Sequence, residues 1–190
     1  MNPKKSKKKL KELKEEIVVP EEITMTLEKN ILIMRKQDKE IERKLNSLIN
    51  VDLEGNKILL SSKRISKREK KMFGTLKAHI NNMIKGLIEG FTYKLQVANV
   101  HFPMNVSHDK DNNKIIVKNF LGEKKDRKIE VIEDVEVKID KDIIELNSHD
   151  IEKAGQVATN IEKGTKVRNK DRRIYQDGIF IIEKPGRKYL

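Results

Sequence analysis

From Ile17 onward the chain is organised by alternation of apolar and polar residues. Ile23, Met25 and Leu27 alternate with Thr24 and Thr26, the period-two pattern of a half-buried strand. Glu28-Lys29-Asn30 turns the chain into a second apolar run, Ile31-Leu32-Ile33-Met34. A more polar stretch follows, with Ile41 and Leu45 as its large apolar anchors. Alternation resumes at Ile49, Val51 and Leu53, Glu54-Gly55-Asn56 makes a hairpin turn, and Ile58-Leu59-Leu60 is the return strand. The period then changes. Met72, Phe73, Leu76, Ile80, Met83, Ile84, Leu87 and Ile88 recur at intervals of three and four, which gathers them on one stripe of a helix over residues 66–89. Ser61, Ser62 or Ser66 is available to cap its start, and Gly90 to close its end.

The same succession then recurs. Tyr93, Leu95 and Val97 alternate in a connecting strand predicted over Phe91 to Phe102 and broken by Pro103. The polar turn over residues 108–113 leads into Ile115-Ile116-Val117. Val135, Val137 and Ile139 alternate, Asp140-Lys141-Asp142 turns, and Ile143 to Leu146 closes a hairpin. Ser148 or Asp150 then caps a helix whose inner face is Ile151, Ala154, Val157, Ala158 and Ile161. A hairpin followed by a capped amphipathic helix therefore occurs twice, about 85 residues apart, an internal duplication. The fold class expected is α+β, two tandem similar domains, each a small, mostly antiparallel sheet packed on one helix. Residues 17–91 form the first and residues 92–184 the second, flanked by a basic arm at residues 1–16 and a basic tail at residues 185–190.

Composition narrows the functional classes. Of 190 residues 38% are charged and 4% aromatic, so the cores must be built from Ile, Leu and Val. The formal charge of +12 and the isoelectric point near 9.6 point to a polyanionic partner. Zero cysteines exclude disulfides, thiolate metal sites and cysteine nucleophiles. No apolar run reaches the roughly 20 residues of a membrane span, and the lysine-rich start lacks the apolar segment of a secretory signal. The expected location is cytoplasmic, with no membrane partner.

The basic charge is densest in Lys166 to Ile182, KVRNKDRRIYQDGIFII. Lys166, Arg168, Lys170, Arg172 and Arg173 precede Tyr175, and Asp177-Gly178 turns the chain into an apolar run. Such a cluster between a helix and a strand suits RNA: cations neutralise phosphates, and an aromatic offers a stacking face. A solvated basic loop is the plain alternative. In the RNA reading, Asn169 and Tyr175 contact ribose or base edges and Gly178 lets the backbone turn. The acidic residues Glu130, Glu133, Asp134, Glu136, Asp140 and Asp142 should then mark a side turned away from RNA.

An ordered series of stretches carries a family resemblance: PEEITMT at Pro20 to Thr26, NNMIKGLIEGFTYKL at Asn81 to Leu95, VHFPMNV at Val100 to Val106, NFLGEK at Asn119 to Lys124, and VRNKDRRIYQDGIF at Val167 to Phe180. Over about Ile17 to Lys184 the chain resembles the large-subunit ribosomal protein family called L-six in bacteria and L-nine in eukaryotes, and within it the archaeal and eukaryotic branch. The resemblance implies a structural role in the large ribosomal subunit, with the second domain on ribosomal RNA near the sarcin-ricin region, where translational GTPases dock. It implies neighbouring ribosomal proteins as further partners. It extends the RNA-binding set to NFLGEKKDRK, that is Lys118, Asn119, Lys124, Lys125, Arg127 and Lys128, with Lys184, Arg187 and Lys188 as accessory contacts. The chain departs from the family at RKQDKEIERKLN, residues 35–46, which lacks the usual glycine-containing turn. The region between Gly55 and Lys71 is also short for the eukaryotic branch.

No enzyme constellation is present. His79, His101, His108 and His149 show no metal-ligand spacing, the glycines form no phosphate loop, and no serine sits in a nucleophile elbow. No cofactor, metal or small-molecule substrate is expected. The competing class is a free-standing RNA-binding or regulatory protein using the same basic surface.

Overall fold

The structure, a computed structural model, describes residues 13–62 and 66–189. The expected basic arm lies outside the described residues as far as position 12. From Leu13 it is a strand: β1 (Leu13–Val18) pairs antiparallel with β6 (Lys57–Ser62), Ile17 opposite Ile58. Regular structure thus begins four residues before the Ile17 read from the pattern. The charged residues of β1 face solvent and Ile17 is its one fully buried residue, so alternation is too faint to detect there.

The chain divides into two compact units after Ile88. In the first, β5 (Asn50–Glu54) pairs with β6 in the expected hairpin, giving a sheet of order β1-β6-β5. A separate sheet contains β2 (Thr24–Glu28), β3 (Ile31–Lys36) and β4 (Lys39–Lys44), in that order. The polar stretch around Ile41 is therefore an edge strand, with Ile41 buried and Lys39, Glu42 and Lys44 exposed. α1 (Lys67–Ile88) packs Phe73, Leu76, Ile80, Met83 and Leu87 into this core. Ser66 and Glu69 cap it reciprocally: the Ser66 N–H donates to the Glu69 carboxylate at 2.8 Å, and the Glu69 N–H to Ser66 Oγ at 3.2 Å. Gly90 follows at φ 75°, the left-handed conformation glycine adopts without strain.

The second unit repeats the order. β7 (Phe91–Ala98), β12 (Ile143–Ser148) and β11 (Glu136–Asp140) are arranged as β1, β6 and β5 are. A second sheet contains β8 (Asn105–Asp109), β9 (Lys114–Lys118) and β10 (Arg127–Glu130). α2 (Ile151–Gly164) starts on Asp150, whose carboxylate accepts from the Glu152 N–H at 2.8 Å. Its buried Ala154, Val157, Ala158 and Ile161 lie in one core with Tyr93, Leu95, Val97, Ile144 and Leu146. The architecture is the expected duplicated α+β fold, with one refinement: each unit divides its strands between two sheets instead of one.

The second unit also has an addition. After α2, residues 165–177 lead to β13 (Gly178–Lys184), which pairs with the free edge of β7, and a short β14 (Arg187–Lys188) pairs with β13. The sheet becomes β11-β12-β7-β13-β14. Among the described residues β13 and β14 have no counterpart in the first unit, and the connection that delivers them is the basic loop.

Candidate nucleic-acid interface

The loop is anchored at both ends by Thr165, which is 1% exposed. Its Oγ1 donates to the Ile161 carbonyl at 3.0 Å and accepts from the Ile179 N–H at 3.1 Å. One hydroxyl thus joins the last turn of α2 to the first residues of β13, and Val167 is buried beside it. Within the loop Asp171 organises a turn. Its carbonyl accepts from the N–H groups of Ile174 and Tyr175, and its carboxylate from the Arg173 N–H at 2.9 Å and the Arg173 guanidinium at 2.8 Å. The guanidinium holds the Asp171 carboxyl below its ordinary value. Asn169 sits at φ 57°, a left-handed position that asparagine tolerates.

The other end of the loop is locked from a distance. The Asp177 carboxylate is buried and accepts from the backbone N–H groups of Val100 and His101, both at 2.9 Å, and meets His101 Nδ1 at 2.6 Å. Burial pushes the Asp177 carboxyl up, but the hydrogen bonds from His101 and Val100 outweigh it and hold the group below its ordinary value. The His101 ring stacks on Tyr175, centroids 4.8 Å apart, and Lys170 Nζ lies 4.3 Å from the centre of the Tyr175 ring. This explains why β7 stops at Ala98 instead of running to Phe102. Two successive N–H groups turned onto one carboxylate cannot also serve a strand ladder.

The NFLGEKKDRK stretch joins the same end of the unit. Asn119 and Leu121 are left-handed, and Gly122 is too, with the Phe102 ring against it. The Asn119 side chain donates to the Pro103 carbonyl at 3.0 Å. Arg127 spans the two stretches: its guanidinium donates to the Gly164 carbonyl at 2.8 Å and to Glu123 at 2.8 Å, and lies 3.9 Å over the Phe120 ring. The segments around residues 99–104, 119–128 and 165–178 therefore converge through Asp177, Asn119 and Arg127.

The residues read from sequence divide accordingly. Lys166, Arg168, Asn169, Lys170, Arg172 and Arg173 are exposed on the loop, and Tyr175 is half-buried behind them. Lys118, Lys124, Lys125 and Lys128 are exposed on the adjoining segment. Arg127 is bound into the scaffold, and Arg173 shares its charge with Asp171. Gly178 does more than turn: a Cβ there would stand 3.0 Å from Phe180 Cζ, so its bareness seats that ring. Lys184, Arg187 and Lys188 lie at the other end of β13, about 20 Å along the strand at ~3.3 Å per residue, where Lys184 and Arg187 flank the Tyr189 ring. They form a separate basic patch.

One expectation fails. The acidic stretch does not all turn away from the basic loop. Glu136 pairs with Asn147, toward the start of β7, but the Asp142 carbonyl accepts from the Val97 N–H, so the Asp140–Asp142 turn is at the end of the sheet where Gly178 pairs with Ala98. A tight hairpin must return its turn to one end of its sheet, and antiparallel pairing with β7 makes that the loop's end. Strands β12 and β7 separate this turn from β13.

Sequence reading missed His101, Asp177 and Thr165 as site-building residues. His101 and Asp177 each lie in one of the family-like stretches, but nothing local in the sequence joins them. Among the described residues no group of acidic and histidine side chains could hold a metal ion, and no helix is long and apolar enough to cross a membrane.

Comparison with known proteins covers this region and most of the chain. Residues 102–178 match the family model described as ribosomal protein L6. The chain is 40% identical over 178 residues to the large ribosomal subunit protein uL6 of Staphylothermus marinus, covering 92% of this chain and 96% of that protein. It is 39% identical over 176 residues to the large ribosomal subunit protein uL6 of Methanococcus vannielii, with the same shares covered.

Proposed function

The chain belongs to the ribosomal protein L6 family, and on that premise we propose that its second unit grips large-subunit ribosomal RNA through the 165–178 loop and the adjoining 118–128 segment. The family makes it a structural constituent of the large ribosomal subunit, with ribosomal RNA and ribosomal proteins as partners, and not an enzyme. The free-standing alternative is thereby displaced. The observation that carries the finer reading is the addition of β13: the duplicated fold gains one strand, and the connection to it carries the exposed Lys166, Arg168, Lys170 and Arg172 on a base fixed by Thr165 and Asp177.

The mechanism is phosphate neutralisation by cations held on a rigid platform, with recognition of RNA shape. Preorganisation matters because a loop already fixed loses less entropy on binding. Tyr175, whose ring is held by His101 and Lys170, offers its hydroxyl to the RNA. The site of attachment is the sarcin-ricin region, beside the docking place of translational GTPases. Lys184, Arg187 and Lys188 meet a separate stretch of RNA.

Salt-washed large subunits test the reading. The parent chain should co-sediment with the large subunit through washing that strips loosely held proteins, and the variant with both Arg172→Ala and Arg173→Ala should be lost at lower salt. Equal retention of the two would remove the loop from the interface. Chemical footprinting of the RNA in reconstituted particles should show protection in the sarcin-ricin region, and protection only elsewhere would refute that placement.

A further inference from the structure

Beside the exposed face of the loop lies a groove of about 690 Å³, bordered by the last turn of α2, the loop and β13. Its size falls within the roughly 300–1,000 Å³ of small-ligand sites. Phe180 lines it, 36% exposed, an unusual amount for a phenylalanine in a strand. Gln96 lies directly opposite Phe180 on the neighbouring strand, and directly paired residues project to one face of a sheet. Gln176, from the loop, brings a second primary amide, and Lys166 and Arg172 bring two cations.

This combination differs from the exposed loop in what it can recognise. Contacts from cations to the phosphate backbone position an RNA but read no base. Gln176 already gives one N–H to the Arg173 carbonyl, at 3.2 Å, which leaves its second N–H and its oxygen. With the Gln96 amide and an aromatic face they match the polar edge and flat face of a base that has left its stack. Glu162, which also lines the groove, accepts hydrogen bonds and repels phosphate. It therefore favours a base N–H or a ribose 2′-hydroxyl at its position, while Lys166 and Arg172 attract the attached phosphate.

We propose that this groove takes one unstacked nucleotide of an RNA strand, its base stacked on Phe180, its edge bonded by Gln96 and Gln176, and its phosphate held by Lys166 and Arg172. The proposal rests on the RNA-binding reading and goes beyond it, because it adds contact with a base to contact with a backbone. It also gives Gly178 a functional reason: a Cβ there would crowd the Phe180 ring, 3.0 Å from its Cζ.

The test uses the full chain, a short single-stranded RNA of mixed sequence and an RNA duplex of equal charge, with binding followed by fluorescence anisotropy. Phe180→Leu keeps apolar volume and removes the ring; it should weaken single-strand binding by about tenfold, the scale of one base–aromatic stack. Gln96→Ala, at an exposed position, should weaken it by about fivefold, the scale of one hydrogen bond. Neither should alter duplex binding, and Gln96→Ala stands as the test if Phe180→Leu fails to fold. If both folded variants bind the single strand as the parent does, while Arg168→Ala weakens binding to both RNAs, the groove proposal is overturned and the RNA reading stands. If the parent chain binds neither RNA, both fall together.

Discussion

The buried carboxylate of Asp177 meets Nδ1 of His101 at 2.6 Å across 76 residues of chain, and it closes the loop that bears the basic residues. The same carboxylate accepts two backbone N–H groups, so the turn after β7 and the turn before β13 are built around one side chain. Tyr175, stacked on His101, inherits its position from this pair.

Asp177→Asn keeps the shape of the side chain but removes its charge. It should lower the free energy of unfolding by about 1–3 kcal/mol, the cost of weakening a buried charged hydrogen-bond set, measured by urea denaturation. RNA affinity should fall as well, since Tyr175 loses its fixed neighbour. An unchanged midpoint would mean that the loop is not held by this carboxylate.

The same pair gives a pH dependence with a definite sign. The Asp177 carboxyl is held below its ordinary value of 3.8 in the folded chain. Its stabilising contribution is therefore full above that ordinary value and is lost as pH falls through the lower folded-state value. The stability gap between the parent and Asp177→Asn should be present at about pH 5 and close as pH falls below about 4. A gap that widened as pH fell below about 4 would contradict the assignment.

Thr165→Val should destabilise the second unit by about 1–3 kcal/mol, because the Ile179 N–H is left buried without its acceptor. Thr165→Ser keeps the hydroxyl and should recover most of the loss. Thermal unfolding of the two variants side by side separates the lost hydrogen bond from the lost methyl group.

Arg127 and its lysine neighbours should behave differently. Arg127→Lys cannot serve the Gly164 carbonyl, Glu123 and the Phe120 face at once, and it should cost about 1–2 kcal/mol of stability. Lys124→Ala and Lys125→Ala should leave unfolding within about 0.5 kcal/mol while weakening RNA binding. Loss of RNA binding by Arg127→Lys at full stability would return that residue to the interface.

The duplicated hairpin-and-helix pattern was legible because each apolar residue in it obeys a local period, as in Ile49-Val51-Leu53 and Val135-Val137-Ile139. β1 was not, since one buried residue, Ile17, makes no alternation, and its pairing with β6 is set some 40 residues away. The basic loop was visible as charge. Its mounting was not, because His101, Asp177 and Thr165 act through partners that folding alone supplies. Arg127 shows the same limit in reverse: composition marks it as a surface cation, and its neighbours make it part of the scaffold.

The central claim is that cations of the 165–178 loop meet RNA phosphates. The most direct measurement is the salt dependence of binding to large-subunit ribosomal RNA by the parent chain and by the variant carrying Lys170→Ala and Arg172→Ala. Each phosphate contact contributes about 0.7–0.9 to the slope of log affinity against log salt. The variant should keep its unfolding temperature, bind more weakly, and show a slope shallower by about 1.5. A variant that bound with the parent's affinity and the parent's slope would contradict the account.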